Sequence, residues 1–156
     1  MASIGIDILE IARIERLLKR ERFLDKVFTS KEIEYLKTSK LETIAGSFAC
    51  KEAISKVFET GIGKLAFHDM EIFRKQSGQP YVVLSLKAKK LAKAIGIGEI
   101  SLSISHEKSY LVAVAQAENE SRSDNTKWGI KQRAAQGTSK LYNWKCYGYY
   151  NDKNGT

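Results

Sequence analysis

Residues 48–63 read Phe48-Ala-Cys-Lys51-Glu52-Ala53-Ile-Ser-Lys56-Val-Phe-Glu-Thr-Gly61-Ile-Gly63. At about 100° per residue, Ala45, Phe48, Ala49, Ala53 and Val57 gather on one broad apolar face, the pattern of a helix packed on a core. Glu52 and Lys56 fall inside that face, one turn apart and pointing the same way. A carboxylate and an ammonium on an apolar face are paired, bound to a metal or used in chemistry. The spacing predicts a helix over Leu41–Phe58, the longest of the chain. Gly61 and Gly63 follow it, as a helix stop or as backbone brought close to a ligand.

Outward from this helix the chain alternates short strands and helices. Ser3–Ile8 has period 2, with Ile4, Ile6 and Ile8 on one face and Gly5 and Asp7 on the other, so it reads as a half-buried strand. Glu10–Arg22 has helical period, with Ile11, Ile14 and Leu18 facing inward. Thr29 or Ser30 before Lys31-Glu32-Ile33-Glu34 caps a short helix. Met70–Arg74 and Tyr81–Leu86 read as paired strands around Gln76-Ser77-Gly78-Gln79-Pro80. Lys87–Ile95 is a basic amphipathic helix stopped by Gly96. Ile100–Ser105 and Tyr110–Gln116 form a second hairpin with His106-Glu107-Lys108-Ser109 at its tip. The fold class is α+β, a small antiparallel sheet packed against one long helix.

The chain has 156 residues and a formal charge of +8. That length predicts one domain with a core that needs no disulfide staples. The charge is uneven: residues 1–120 hold 19 Lys and Arg against 16 Asp and Glu, while residues 121–156 hold 7 against 2. The front of the chain is only mildly basic, which weakens a nucleic-acid reading of the whole protein. Residues 121–156 contain both tryptophans and four of the seven tyrosines without either regular period. They read as an extension or non-native tail behind a domain at 1–120. Cys50 and Cys146 have no CxxC partner, so neither a disulfide framework nor a zinc site is expected. No apolar run reaches the length of a membrane span and no leader precedes the first strand, so a reducing, cytoplasmic setting is expected.

Asp7, at a strand end, and Glu52, on the helix, are carboxylates from separate elements. They suit a hard cation such as Mg²⁺, which takes one or two protein carboxylates and completes its shell from water and substrate phosphates. Lys56 would place a positive charge on the same phosphates; the plainer alternative is an i,i+4 salt bridge with Glu52. His106 could donate to a phosphate or shuttle a proton. Arg13, Arg16 and Arg20 share one helical face, followed by Arg22 and Phe23. The stripe is either a solvated face or a dock for an acidic partner.

Five blocks stand in order: Gly-Ile-Asp7, Phe48-Ala-Cys-Lys51-Glu52-Ala53-x-x-Lys56, Gly61-Ile-Gly63, Gly78-Gln-Pro80-Tyr81 and Ser103-Ile-Ser105-His106. Together they resemble the bacterial-type holo-acyl-carrier-protein synthases, small 4′-phosphopantetheinyl transferases, over roughly residues 1–118. The resemblance implies the 4′-phosphopantetheinyl transferase fold. It implies transfer of the 4′-phosphopantetheine arm of coenzyme A (CoA) to a serine of an apo-acyl carrier protein, releasing adenosine 3′,5′-bisphosphate, in support of fatty acid biosynthesis. It implies Mg²⁺, with Mn²⁺ able to substitute, and a homotrimer with active sites between subunits. Asp7 and Glu52 match the metal carboxylates, Glu52 and Lys56 the catalytic pair. Lys56, Gly63, Pro80 and His106 match CoA contacts, and Arg13, Arg20, Arg22 and Phe23 the carrier-docking region. Either Glu52 or a metal-bound water is the base. The competing readings are a nucleic-acid binder, an inactive CoA- or carrier-binding module, and a structural trimer with a buried salt bridge.

Overall fold

The computed structural model describes residues 2–58 and 65–119. Gly61, Gly63 and the segment 121–156 lie outside the described residues. Strand β1 (Ala2–Glu10) leads into helices α1 (Ile11–Leu18), α2 (Phe23–Val27), α3 (Ser30–Leu36) and α4 (Leu41–Val57). A 3-10 turn (Phe67–Asp69) then precedes β2 (Met70–Arg74), β3 (Pro80–Leu84), α5 (Leu86–Ile95), β4 (Ile97–His106) and β5 (Tyr110–Asn119). One antiparallel sheet has the order β1-β5-β4, and β2 and β3 form a separate hairpin. The α+β class and the long helix on a small antiparallel sheet are as the sequence predicts.

Helix α4 lies across β1 and β5 because the strands under it carry small side chains. A Cβ on Gly5 would stand 2.0 Å from the Ala53 carbonyl oxygen, so the helix backbone touches the strand there. Ala113, Ala115 and Ala117 of β5 face the same way and are fully buried. This reverses the expected facing of β1. Ile4, Ile6 and Ile8 are 61%, 54% and 69% exposed, while Gly5 and Leu9 are buried and Asp7 is half-buried. Alternation marks a two-faced strand, but the close helix selects the face without bulk.

Helix α4 also differs from a one-faced amphipathic helix. From Ala45 to Val57, only Glu52 and Lys56 escape full burial. The sheet covers one side, and α1 and β2 pack on others. Glu52 and Lys56 therefore mark the single open stripe of a buried helix rather than an intrusion into its packed face.

The predicted helix over Glu10–Arg22 is shorter. It starts after Glu10, ends at Leu18 and buries Ile11, Ile14 and Leu17; Leu18 is only partly buried. Arg22 then takes a left-handed conformation (φ 64°) and opens α2. Thr29 caps α3 with a full capping box: its side chain accepts from the Glu32 N–H, and Glu32 accepts from the Thr29 N–H. The first hairpin's second strand stops at Leu84, because the Ser85 hydroxyl accepts from the Ala88 N–H and starts α5. Gly96, at φ 77°, ends α5 as the glycine predicts. His106 is the last residue of β4, not part of the hairpin tip.

Candidate active site

Sheet pairing brings Asp7 to the edge of α4. Lys56 Nζ donates to Asp7 Oδ1 at 3.0 Å and to the Ile6 carbonyl at 2.5 Å. The expected alternative, a Glu52–Lys56 bridge along the helix, is not what forms; Lys56 pairs with Asp7 from β1. The pair is open to water, with Lys56 40% and Asp7 17% exposed in their side chains. Glu52 lies half-buried beside it. Burial, and after it the Asp7 charge, push the Glu52 carboxyl up to about 7, against the opposing pull of Lys56 and Arg13. A carboxylate held close in part-buried ground destabilises the charged form of its neighbour, which is the part Asp7 plays at Glu52. Arg13, half-buried on α1, thus belongs to the field of this site.

The donor set is two carboxylates with no thiol or imidazole. Among the described residues, no group of three or more His, Cys, Asp and Glu converges as a metal site. That composition fits Mg²⁺, which fills most of its octahedron with water and substrate phosphate oxygens, better than a cation needing a protein cage.

The other predicted contacts lie elsewhere. In register, Asp7 faces Ala113 and Ala113 faces Ile104, while His106 faces Leu111, which faces Leu9. His106 is thus on the far side of β5 from β1, about 10 Å away at two strand spacings. Pro80 opens β3 opposite Arg74. It lines a groove of about 530 Å³ with Lys75, Tyr81, Lys89 and Ser101. Asp7, Glu52 and Lys56 therefore cluster at the β1–α4 edge, whereas Pro80, on β3, and His106, at the end of β4, lie away from them.

On the predicted docking stripe, Arg13 is half-buried, and Arg20 and Arg22 are exposed. Phe23 is not on the surface: it is 3% exposed and its ring packs 6.1 Å from that of Phe48. The left-handed turn at Arg22 rotates Phe23 into the core.

Sequence reasoning missed Lys51. It is fully buried, and Nζ donates to Glu32 Oε2 at 2.7 Å and to the Val27 and Phe67 carbonyls at 2.9 Å each. Three acceptors match the three protons of an ammonium. Burial pulls the amine's proton affinity down, and the Glu32 carboxylate pulls the other way. Glu32 Oε1 in turn accepts from the Ile72 N–H. The signal was present: Ile44, Phe48, Ile54 and Phe58, at helical spacings from Lys51, are all apolar.

Comparison with known proteins is consistent along the whole described region. The model of the 4′-phosphopantetheinyl transferase superfamily matches residues 3–115. A holo-[acyl-carrier-protein] synthase of Moorella thermoacetica is 43% identical over 122 residues, covering 76% of this chain and 95% of that protein. The crystal structure of Helicobacter pylori holo-[acyl-carrier-protein] synthase in complex with coenzyme A superposes with a TM-score of 0.66 at 40% identity, covering 74% of this chain and 99% of that one. The Bacillus anthracis holo-(acyl-carrier-protein) synthase in complex with CoA (3′,5′-ADP) gives a TM-score of 0.63 at 36% identity, covering 76% and 96%.

Proposed function

The chain belongs to the 4′-phosphopantetheinyl transferase superfamily, and from that premise we propose how its residues carry out the transfer. It is a holo-[acyl-carrier-protein] synthase, a transferase that moves 4′-phosphopantetheine from CoA to a serine of apo-acyl carrier protein and releases adenosine 3′,5′-bisphosphate. The observation that carries the assignment of roles is the Asp7–Glu52–Lys56 half-site, two carboxylates and an ammonium on the one open stripe of a buried helix.

In this reading the serine oxygen forms a bond to the phosphorus bearing the pantetheine arm. The bridging oxygen leaves with adenosine 3′,5′-bisphosphate, and the hydroxyl proton must be accepted. Such transfers depend on positioning and charge neutralisation. A Mg²⁺ ion, held by Asp7 and Glu52, would neutralise diphosphate charge. Lys56 holds the same phosphates; its pair with Asp7 is exposed, so exchanging that partner for a phosphate costs little. We assign the serine proton to Glu52, the half-buried carboxylate of this half-site.

Arg13, Arg20 and Arg22 are the residues we assign to the acidic carrier, by their place on α1 and at the bend after it. The open sheet face supports assembly into a homotrimer: Ile4, Ile6 and Ile8 are exposed beside half-buried Val112 and Val114. Assembly would let the Asp7–Glu52–Lys56 cluster of one copy meet Pro80 and His106 of another, which one chain holds apart. We place the catalytic domain at residues 1–120. Among the described residues no helix is long and apolar enough to cross a membrane; we place the reaction in the cytoplasm, where the free buried thiol of Cys50 is at home.

The test is incubation with CoA, Mg²⁺ and apo-carrier, followed by intact mass. The expected outcome is a carrier heavier by the phosphopantetheine arm, abolished by chelator. An unmodified carrier under these conditions would overturn the reading.

A further inference from the structure

We propose that the lysine face of α5, with Leu86 at its centre, docks the protein peripherally on an anionic lipid surface. Ser85 caps this helix and Gly96 ends it, so its ten residues are fixed at both ends. Its inner side is thin: Ala88 and Ala92 are buried, and the helix packs on β3 and β4. Lys87, Lys89, Lys90 and Lys93 are all exposed, and the helix contains no carboxylate. At the helical period Leu86, Lys90 and Lys93 fall within about 60° of one another, with Lys89 and Lys87 on the flanks.

Two observations set this face apart from an ordinary solvated one. Of its four lysines only Lys87 has an acidic partner, Asp69 at 3.1 Å; Lys89, Lys90 and Lys93 form no salt bridge among the described residues. Leu86 is 78% exposed, more than any other large apolar side chain among the described residues, and takes no part in the core. The surface continues past the helix. Tyr81 and Val83 of β3 are also exposed, and they share a groove with Lys75 and Lys89, in which Glu99 is the one carboxylate.

Apolar side chains among lysines match a lipid headgroup layer. The leucine enters the acyl boundary, while the lysine stems lie along it and their ammonium groups reach lipid phosphates. About four to eight basic residues on one helix face is the size of cluster that an anionic leaflet holds. A nucleic acid would use the lysines but leave Leu86 in water. The exposed patch of Ile4, Ile6 and Ile8 has the opposite make-up: neither β1 nor its neighbour β5 carries a lysine, which suits contact between proteins. The lipid contact is adsorption, since among the described residues no helix is long and apolar enough to cross a membrane.

Residues 121–156 hold 7 Lys and Arg and also attract anionic lipid, so the test changes α5 within the full chain. The protein is sedimented with vesicles of mixed phosphatidylglycerol and phosphatidylcholine, and with phosphatidylcholine alone, at about 0.1 M salt. The parent should bind the first and not the second. Lys90→Gln with Lys93→Gln should weaken binding roughly thirtyfold, about fivefold per lysine. Leu86→Gln should weaken it about tenfold at unchanged charge, which separates insertion from plain charge attraction. These positions are exposed and glutamine is a good helix former, so circular dichroism and transfer to soluble apo-carrier should stay parental. A parent that ignores anionic vesicles, or variants that bind them as the parent does, would overturn the proposal. So would a Leu86→Gln variant with parental affinity, which would leave only charge attraction. A raised KM for the carrier with vesicle binding unchanged would assign the face to an acidic protein and overturn it as well.

Discussion

Lys51 and Glu52 are neighbours in sequence and opposites in environment. Lys51 is fully buried with every proton accepted, tying α2, α3, the 3-10 turn and, through Glu32, β2 to the central helix. Glu52, about 100° round the helix, is half-buried among charges that do not settle it: Asp7 repels its anion, and Lys56 has turned to Asp7 instead. Burial alone does not tell a structural charge from a functional one. A charge whose partners are complete stabilises the fold, and a charge whose partners are incomplete is held ready for a ligand. The pair Lys51 and Lys56 repeats the lesson with one residue type on one helix.

The largest expected effect breaks the closed member. Lys51→Met leaves the Glu32 carboxylate buried without its cation, which costs about 3–5 kcal/mol, a large share of a typical domain's stability. Urea or thermal unfolding should show a strongly destabilised or unfolded chain. A variant as stable as the parent would mean that the network is dispensable.

Glu52→Gln attacks the open member. Transfer should fall about a hundredfold or more with the fold retained, read as turnover with CoA, carrier and Mg²⁺; parental turnover would remove Glu52 from the mechanism. The same variant has a second readout. A carboxyl whose folded pKa lies above its unfolded value contributes most below the unfolded value and loses that contribution as pH rises. The metal-free parent should therefore lose stability between about pH 4.5 and about 7. Glutamine does not titrate, so in chelator at pH 8 the variant should be more stable than the parent by roughly 1–2 kcal/mol, discounted for partial exposure. At pH 4 the two should coincide. An advantage that did not grow with pH would show that Glu52 is comfortable as an anion.

Lys56→Met gives the smallest change in stability and so sharpens the contrast with Lys51→Met. Its pair with Asp7 is exposed and contributes less than about 1 kcal/mol. Unfolding should hardly move, while kcat/KM for CoA falls about tenfold or more for want of the phosphate charge. A loss of stability matching that of Lys51→Met would erase the distinction between the two lysines.

Much of this was legible in the chain. The capping box at Thr29 and Glu32, the helix stop at Gly96 and the turn around Gly78 are local chemistry, readable from adjacent residues. The oddity of Glu52 and Lys56 was legible because periodicity places them. Their partners were not, because the choice between Glu52 and Asp7 for Lys56 depends on how β1 lies against α4. The inverted facing of Ile4, Ile6 and Ile8 was hidden for the same reason. The break after Leu18, which sends Phe23 into the core, rests on a left-handed arginine that no local signal announces.

The sequence by itself determined the α+β class, the central helix and the family. Those follow from periodicity, turn residues and the identity and order of five short blocks. Only the tertiary structure decided which charge is closed and which is open, and which face of β1 is buried. The reason is physical: a side chain's type is local, but the completeness of its hydrogen bonds depends on groups brought from distant parts of the chain.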